Sequence, residues 1–425
     1  MGAVVPAIDA MGASCEDSLT RGAGLVHPPG PMEDARSREV DSRREGPLAL
    51  DRRHFLILLG GASAYAALHP AYAWAKRLRS EVALQPWTLA PELPGTSIEV
   101  ARTLIGAAVL APSDWNAQPW HFEVDGASIR IVADSRRALP VTDPDRRGML
   151  LSLGAALENM LIAARGYGLR PSVIYTPNEG ANGVMAEVSW TPGEQRRDRS
   201  LFTMIRERRT NRRDYDGRAL FTQNRAQLTA QVPEGLSVHW IDGKDRLERV
   251  SDLVHEATRH QMNDQRCQAE QYGWLRFDGE EKRRGDGVPV SALGFSGPAE
   301  WFASRYFDPK SMWRKFGSDS AAKQARGQIR SSGALALLTA SRTDETTRLM
   351  GGQTFQRFAL KATAFGIAHQ ASSSPIEVEK TRQGLLHEFG AGGEDPLLLV
   401  RLGHAKSVPP TPRRAVAVVA TFRNT

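Results

Sequence analysis

The sequence turns on Ala111-Pro112-Ser113-Asp114-Trp115-Asn116-Ala117-Gln118-Pro119-Trp120-His121-Phe122. An apolar helical run, Val100 to Leu110, leads into it, and an alternating stretch, Phe122 to Val132, leaves it. Pro112 and Pro119 lack an N–H and bias the preceding residue away from the helix. The stretch therefore predicts a rigid, extended connection between a helix and a strand, presenting Ser113, Asn116 and Gln118 between aromatic rings. Taken one at a time, these residues also suit a capped turn with tryptophans filling core.

Around that stretch the bounds are ordinary. The chain has 425 residues, 41% hydrophobic and 24% charged, enough for two or three domains. The net charge of +7 is concentrated in runs such as Arg206, Arg208, Arg209, Arg212 and Arg213. That points to a local anion site rather than a DNA-binding surface. Cys15 and Cys267 provide neither metal-ligand spacing nor a disulfide framework. Trp274, Trp301 and Trp313 alternate with Arg305, Tyr306, Lys310, Arg314 and Lys315. This alternation suits single-stranded nucleic acid or, better, a lid over a pocket.

Residues 1–49 form a polar leader without apolar period. Residues 50–75 carry Arg52-Arg53, Phe55-Leu56, a short apolar run and Ala71-Tyr72-Ala73, the plan of a signal peptide with its cleavage site. The run is too short for an ordinary membrane span. A proline-bearing linker covers 76–96.

Two folded halves are expected, 97–199 and 200–425, the second with an insertion at 263–330. The first reads as helix 97–110, strands 120–125 and 128–133, helix 147–167, then strands near 172–175 and 184–190. The second opens on a helix from Leu201 that ends in Arg208-Arg209-Thr210-Asn211-Arg212. Its later parts are strand 334–340, a long helix, strand 397–402 and strand 415–422. Gly154–Leu169 and Gly352–Ile367 share glycine spacing and apolar period. They read as two copies of one unit, an internal pseudo-dimer.

The opening stretch resembles the Pro-Ser-x-x-Asn-x-Gln-Pro-Trp signature of the nitroreductase superfamily of FMN proteins. Arg208-Arg209-Thr210-x-Arg212 is similar to the family's Arg-Arg-Ser-x-Arg motif, with Thr210 keeping the hydroxyl. Pro375-Ile376-Glu377-Val378 resembles its Pro-Ile-Glu-Gly segment, with Val378 where the family has glycine. Pro412-Arg413-Arg414 is similar to its closing basic segment. The resemblance implies an α+β, nitroreductase-like fold whose fused halves retain one complementary set of motifs and so one FMN site. The fused, Acg-type branch is the nearest pattern. It further implies that Arg208, Arg209, Thr210, Arg212, Arg413 and Arg414 hold the phosphate and ribityl chain. Pro112, Ser113, Asn116 and Gln118 would meet the flavin from the other half, and Pro375, Glu377 and Val378 would border its N5. No catalytic acid or base and no metal is assigned.

The paired arginines resemble a twin-arginine signal, which implies translocase-dependent export to the periplasm, with tethering if the signal stays uncleaved. The function implied is an FMN-dependent oxidoreductase passing hydride from NAD(P)H or another donor to a nitroaromatic, quinone or related acceptor. Free NAD(P)H is scarce outside the cytoplasm, so the alternative is a flavin-sequestering protein without turnover. Fusion leaves both a monomer and a homodimer open.

Overall fold

Thr96 and Glu99 cap each other at the start of α1 (Ser97–Ala108). The Thr96 hydroxyl accepts from the Glu99 N–H, and the Glu99 carboxylate accepts from the Thr96 N–H. This reciprocal cap satisfies two donors that a helix start leaves open. The computed structural model describes residues 86–423 apart from 94, 177–182, 194–198, 278, 294–309 and 311–313. The leader, the twin-arginine stretch, Trp301, Arg305, Tyr306 and Trp313 lie outside the described residues.

Strands β1 (Trp120–Asp125) and β2 (Ser128–Ala133) form a hairpin, with Trp120, Phe122 and Val124 facing inward. Helix α2 (Arg147–Gly166) follows, then β3 (Leu169–Tyr175) and β4 (Val184–Pro192). The expected helix at 201–209 is a turn with one 3-10 segment, Thr203–Arg206. The arginine run beyond it is extended and tied to a strand edge, because Asn211 N donates to the His369 carbonyl at 3.0 Å.

Helix α3 (Thr222–Thr229), β5 (Leu236–Ile241) and α4 (Lys244–Asn263) come next. Then follow α5 (Gln265–Gly273), β6 (Leu275–Arg276), α6 (Gly279–Lys282), β7 (Val288–Pro289) and α7 (Arg314–Arg330). The region expected as a lid-like insertion is thus built into the fold at both ends. Arg326 pairs with Glu248 at 2.9 Å and Asp252 at 2.6 Å, and Arg330 with Glu248 at 2.7 Å, which docks α7 along α4.

The remainder is β8 (Ala334–Ala340), α8 (Glu345–Ala364), β9 (Ala368–Ser372), α9 (Ser374–Glu377), α10 (Glu379–Phe389), β10 (Asp395–Gly403), α11 (Val416–Val419) and β11 (Ala420–Phe422). The expected last strand, 415–422, is therefore half helical. The larger sheet has the order β11-β1-β2-β4-β3 and the smaller β5-β8-β10-β9. Strand β11 pairs in parallel with β1, so the end of the chain completes the sheet of the first half.

The two long helices cross at their glycines. A methyl on Gly154 would sit 2.0 Å from the Leu349 carbonyl, and one on Gly352 would sit 2.1 Å from that of Leu151. Only glycine allows backbones this close. Further along, Arg357 Nη2 reaches Glu158 Oε1 at 2.5 Å, and Gln356 Nε2 reaches Asn159 Oδ1 at 2.6 Å. When Gly154 is set against Gly352, residue 158 matches 356 and 159 matches 357. The contacts are then reciprocal, as in an isologous interface.

Candidate functional site

The loop after α1 is strained and heavily tied. Trp115, Asn116 and Gln118 have φ of 48°, 53° and 53°, a region that costs non-glycine residues energy. Side-chain bonds hold them there. Asn116 Nδ2 donates to the carbonyls of Gly287 (2.8 Å) and Pro412 (3.0 Å), while its Oδ1 accepts from Arg413 (2.8 Å). Gln118 Nε2 donates to the Gly285 carbonyl at 2.8 Å, and its Oε1 accepts from Arg414 N at 3.0 Å. Ser113 Oγ accepts from Gln118 N at 2.9 Å. The loop thus clamps the turn between β6 and β7 and the 412–414 segment. That turn is braced by Asp286, which takes two bonds from Arg276 (3.1 and 2.7 Å) and a further one from Arg137.

Beside this clamp lie Arg208 and Arg413, which have no ion-pair partner among the described residues, although Arg413 donates to Asn116 Oδ1, Thr411 Oγ1 and the carbonyls of Pro412 and Ala111. Arg208 is 2% exposed and Arg413 3% exposed, and the Nε of each has no hydrogen-bond partner. Burial pushes the Arg208 guanidinium down to about 9, with Arg209 and Arg212 adding repulsion. Burial likewise lowers Arg413, followed by repulsion from Arg208 and Arg209. Arg209 stacks over Trp87 at 4.2 Å and Arg413 over the same ring at 5.0 Å. Thr210 brings its hydroxyl within 3.4 Å of Arg208 Nη1. The buried His369 meets no side-chain partner among the described residues, and the Ile367 backbone is the one polar group that favours its charged form. It is pushed to about 3 by burial and then by Arg208. A cluster of desolvated guanidinium groups is costly until an anion joins it.

A cavity of about 240 Å³ adjoins this cluster through Arg212. Its lining includes Asp114, Trp115, Gln261, Gln268, Ser372 and Glu377. Burial, then the repulsion between Asp114 and Glu377, raises Asp114 to about 6 against the pull of Arg147 and Arg212. Burial also raises Glu377, opposed first by Arg147, whose Nη2 lies 3.8 Å from Glu377 Oε1. A methyl on Gly148 would fall 1.9 Å from Asp114 Oδ2, so the Asp114 carboxyl rests on the first turn of α2. Neighbouring Asp143 accepts from Gly148 N and Met149 N, both at 2.9 Å.

The residues singled out in the sequence separate into three sets. Arg208, Arg209, Thr210 and Arg413 gather at the cationic cluster, and Arg212 and Glu377 line the cavity. Ser113, Asn116 and Gln118 spend their polar atoms on the protein. Arg414 lies against Gln118, its Nη1 donating to that residue's carbonyl at 3.3 Å, with Arg137, Asp134 and Asp286 as charged neighbours. Pro112 is partly buried, and Pro375 is buried with its carbonyl accepting from Thr381 at 3.0 Å. Val378 is extended (φ −99°, ψ 116°), so the backbone there has no need of glycine. Sequence reading missed Asp114, His369 and Gln268. Asp114 stood inside the quoted stretch; the other two carry no spacing signal.

No family model matches the chain. Two curated proteins of Mycobacterium tuberculosis, each named as a candidate NAD(P)H nitroreductase, align over most of it. One is 29% identical over 332 residues, 76% of this chain and 92% of that protein. The other, acg, is 25% identical over 348 residues, 78% of this chain and 98% of that protein. The chain is similar to nitroreductase-type proteins. Among solved structures, the FMN-dependent nitroreductase NfnB of Mycobacterium smegmatis in complex with NADPH is 16% identical. It covers 53% of this chain and 99% of that one, with a TM-score of 0.32.

Proposed function

We propose that this protein is an FMN-dependent oxidoreductase of the nitroreductase type, exported by the twin-arginine route. The observation that carries the reading is the pair of buried guanidinium groups of Arg208 and Arg413, each with an open Nε and no ion-pair partner among the described residues, near the cavity that Arg212 lines. It fits a ligand with an anionic end and a flat, hydrogen-bonding end. The names of the mycobacterial relatives agree with it.

In this reading Arg208, Arg209 and Arg413 take the phosphate, whose charge offsets their mutual repulsion through charge-assisted bonds. Thr210 faces the ribityl chain. The cavity bordered by Arg212, Ser372 and Glu377 takes the ring, with Trp115 at its wall. When bound, FMN supplies hydride transfer between an NAD(P)H-type donor and a small oxidised acceptor. The chain's part is to hold the phosphate charge, exclude water with α4, α5 and α7, and keep the Asp114 and Glu377 carboxyls beside the reacting space. The reciprocal crossing of α2 and α8 supports two fused copies of one ancestral unit sharing a single site.

The test is the visible spectrum of the purified protein under anaerobic conditions. Flavin bands that bleach with NADPH and return on adding a quinone or nitroaromatic are expected. A colourless protein that takes up no FMN overturns the reading, while a bound flavin that resists the donor turns it toward sequestration. Export is tested separately. Replacing Arg52 and Arg53 by lysine should hold the precursor in the cytoplasm, and unchanged export removes that part of the proposal.

A further inference from the structure

Gln268 sits on α5, lines the cavity and is 1% exposed. Neither its Nε2 nor its Oε1 has a hydrogen-bond partner. Of the five other glutamines of the lining, all but Gln271 are engaged, and Gln271 is not among the buried groups left unpaired. Gln261 donates to Glu377, Gln324 to the Leu293 carbonyl and Gln328 to the Arg212 carbonyl, while Gln370 accepts from Arg401. Buried amides are nearly always paired, so a primary amide with both ends unpaired in the wall of a cavity marks a place for a ligand.

The amide is also held in place. Two residues on, the Glu270 carboxylate accepts from Val141 N (3.0 Å), Thr142 N (2.9 Å) and the Thr142 hydroxyl (2.6 Å). Asp264 caps the start of α5 by accepting from Arg266 N at 2.8 Å. An anchored helix therefore presents one acceptor oxygen beside one donor nitrogen. Their complement is a planar edge that sets an N–H next to a carbonyl.

We propose that Gln268 reads the imide edge of the flavin ring, accepting from N3–H and donating to an adjoining ring carbonyl. The assignment rests on the flavin reading of this cavity and goes beyond it by naming a residue that selects the ring rather than the phosphate. The remaining charged lining groups do not supply this pairing. The Asp114 and Glu377 carboxylates cannot donate to a carbonyl when ionised, and the Arg212 guanidinium cannot accept from N3–H.

The experiment titrates apo-protein with FMN and with N3-methyl FMN, which lacks that N–H, following the quenching of flavin fluorescence. Wild type should bind FMN about tenfold or more tightly than the methylated ring. Gln268→Leu should bind FMN about tenfold more weakly than wild type, and its preference should fall close to one. Circular dichroism and an unfolding midpoint at or above the wild-type value should show that the variant folds, since it removes an unpaired amide. If it does not fold, Gln268→Met, nearer in shape, takes its place. An equal preference in wild type and variant overturns the assignment and leaves the flavin reading standing, with the amide serving some other carboxamide-like group. A wild-type protein that binds neither flavin overturns both.

Discussion

Two walls of one site treat their polar groups in opposite ways. In the 111–118 loop, Asn116 and Gln118 have their amides bonded to the backbone or to Arg413. Around the cationic cluster and the cavity, Arg208 Nε, Arg413 Nε and both ends of the Gln268 amide have none. The difference separates scaffold from binding surface. A polar group already paired stabilises the fold and has little left for a ligand. One buried and unpaired costs the fold free energy that a ligand can return. The motif that carries the resemblance is thus mostly frame, and Arg413 belongs to both sets, its Nη atoms bonded and its Nε open.

The comparison makes predictions of opposite sign. Asn116→Ala should destabilise the apo-protein by about 1–3 kcal/mol, because it leaves the buried Gly287 carbonyl without its donor and takes one acceptor from Arg413 in a strained loop. Chemical denaturation measures it, and a loss under about 0.5 kcal/mol would deny the loop its scaffold role. Arg208→Met should do the reverse. It should leave the apo-protein about 1–2 kcal/mol more stable by removing an uncompensated buried cation, while weakening FMN binding about 10- to 100-fold.

The cavity carboxylates provide a smaller effect. Asp114 titrates at about 6 when folded against an ordinary 3.8. Between those values the folded chain holds the proton more often than the unfolded one, so this group's contribution to stability is lost as pH rises through that window. Asp114→Asn should therefore be about 1–2 kcal/mol more stable than wild type at pH 8 and level with it near pH 4. A constant difference across that range would mean the carboxyl is not coupled to the site. The smallest effect is expected at Val378. Its backbone is ordinary for valine, so Val378→Gly should cost under about 1 kcal/mol and leave FMN affinity unchanged. Tighter binding in that variant would show that the side chain obstructs the ring.

Much of this architecture was legible in the sequence. The strands at 120–125 and 128–133 declare themselves by alternation, and the paired glycines of α2 and α8 by equal spacing. The arginine run was legible as a concentration of positive charge, and the structure buries Arg208 of that run beside Arg209 and Arg212. Its helix was not there, however, because 201–207 winds as a turn with one 3-10 segment and the chain then extends to bond the edge of β9 at Thr210 and Asn211. The roles of Asn116 and Gln118 could not be read, because their partners at 285–287 and 412–414 are remote in sequence. Gln268 was silent for a similar reason. A glutamine shows its function only through what it fails to bond.

The most direct measurement compares FMN with riboflavin, which lacks the phosphate, in titrations of wild-type apo-protein and of Arg208→Met/Arg413→Met. Wild type should favour FMN by about 100-fold or more, and the double variant should nearly lose that preference while still binding riboflavin. Equal affinities in wild type, or an undiminished preference in the variant, would contradict the claim that Arg208 and Arg413 are the phosphate site.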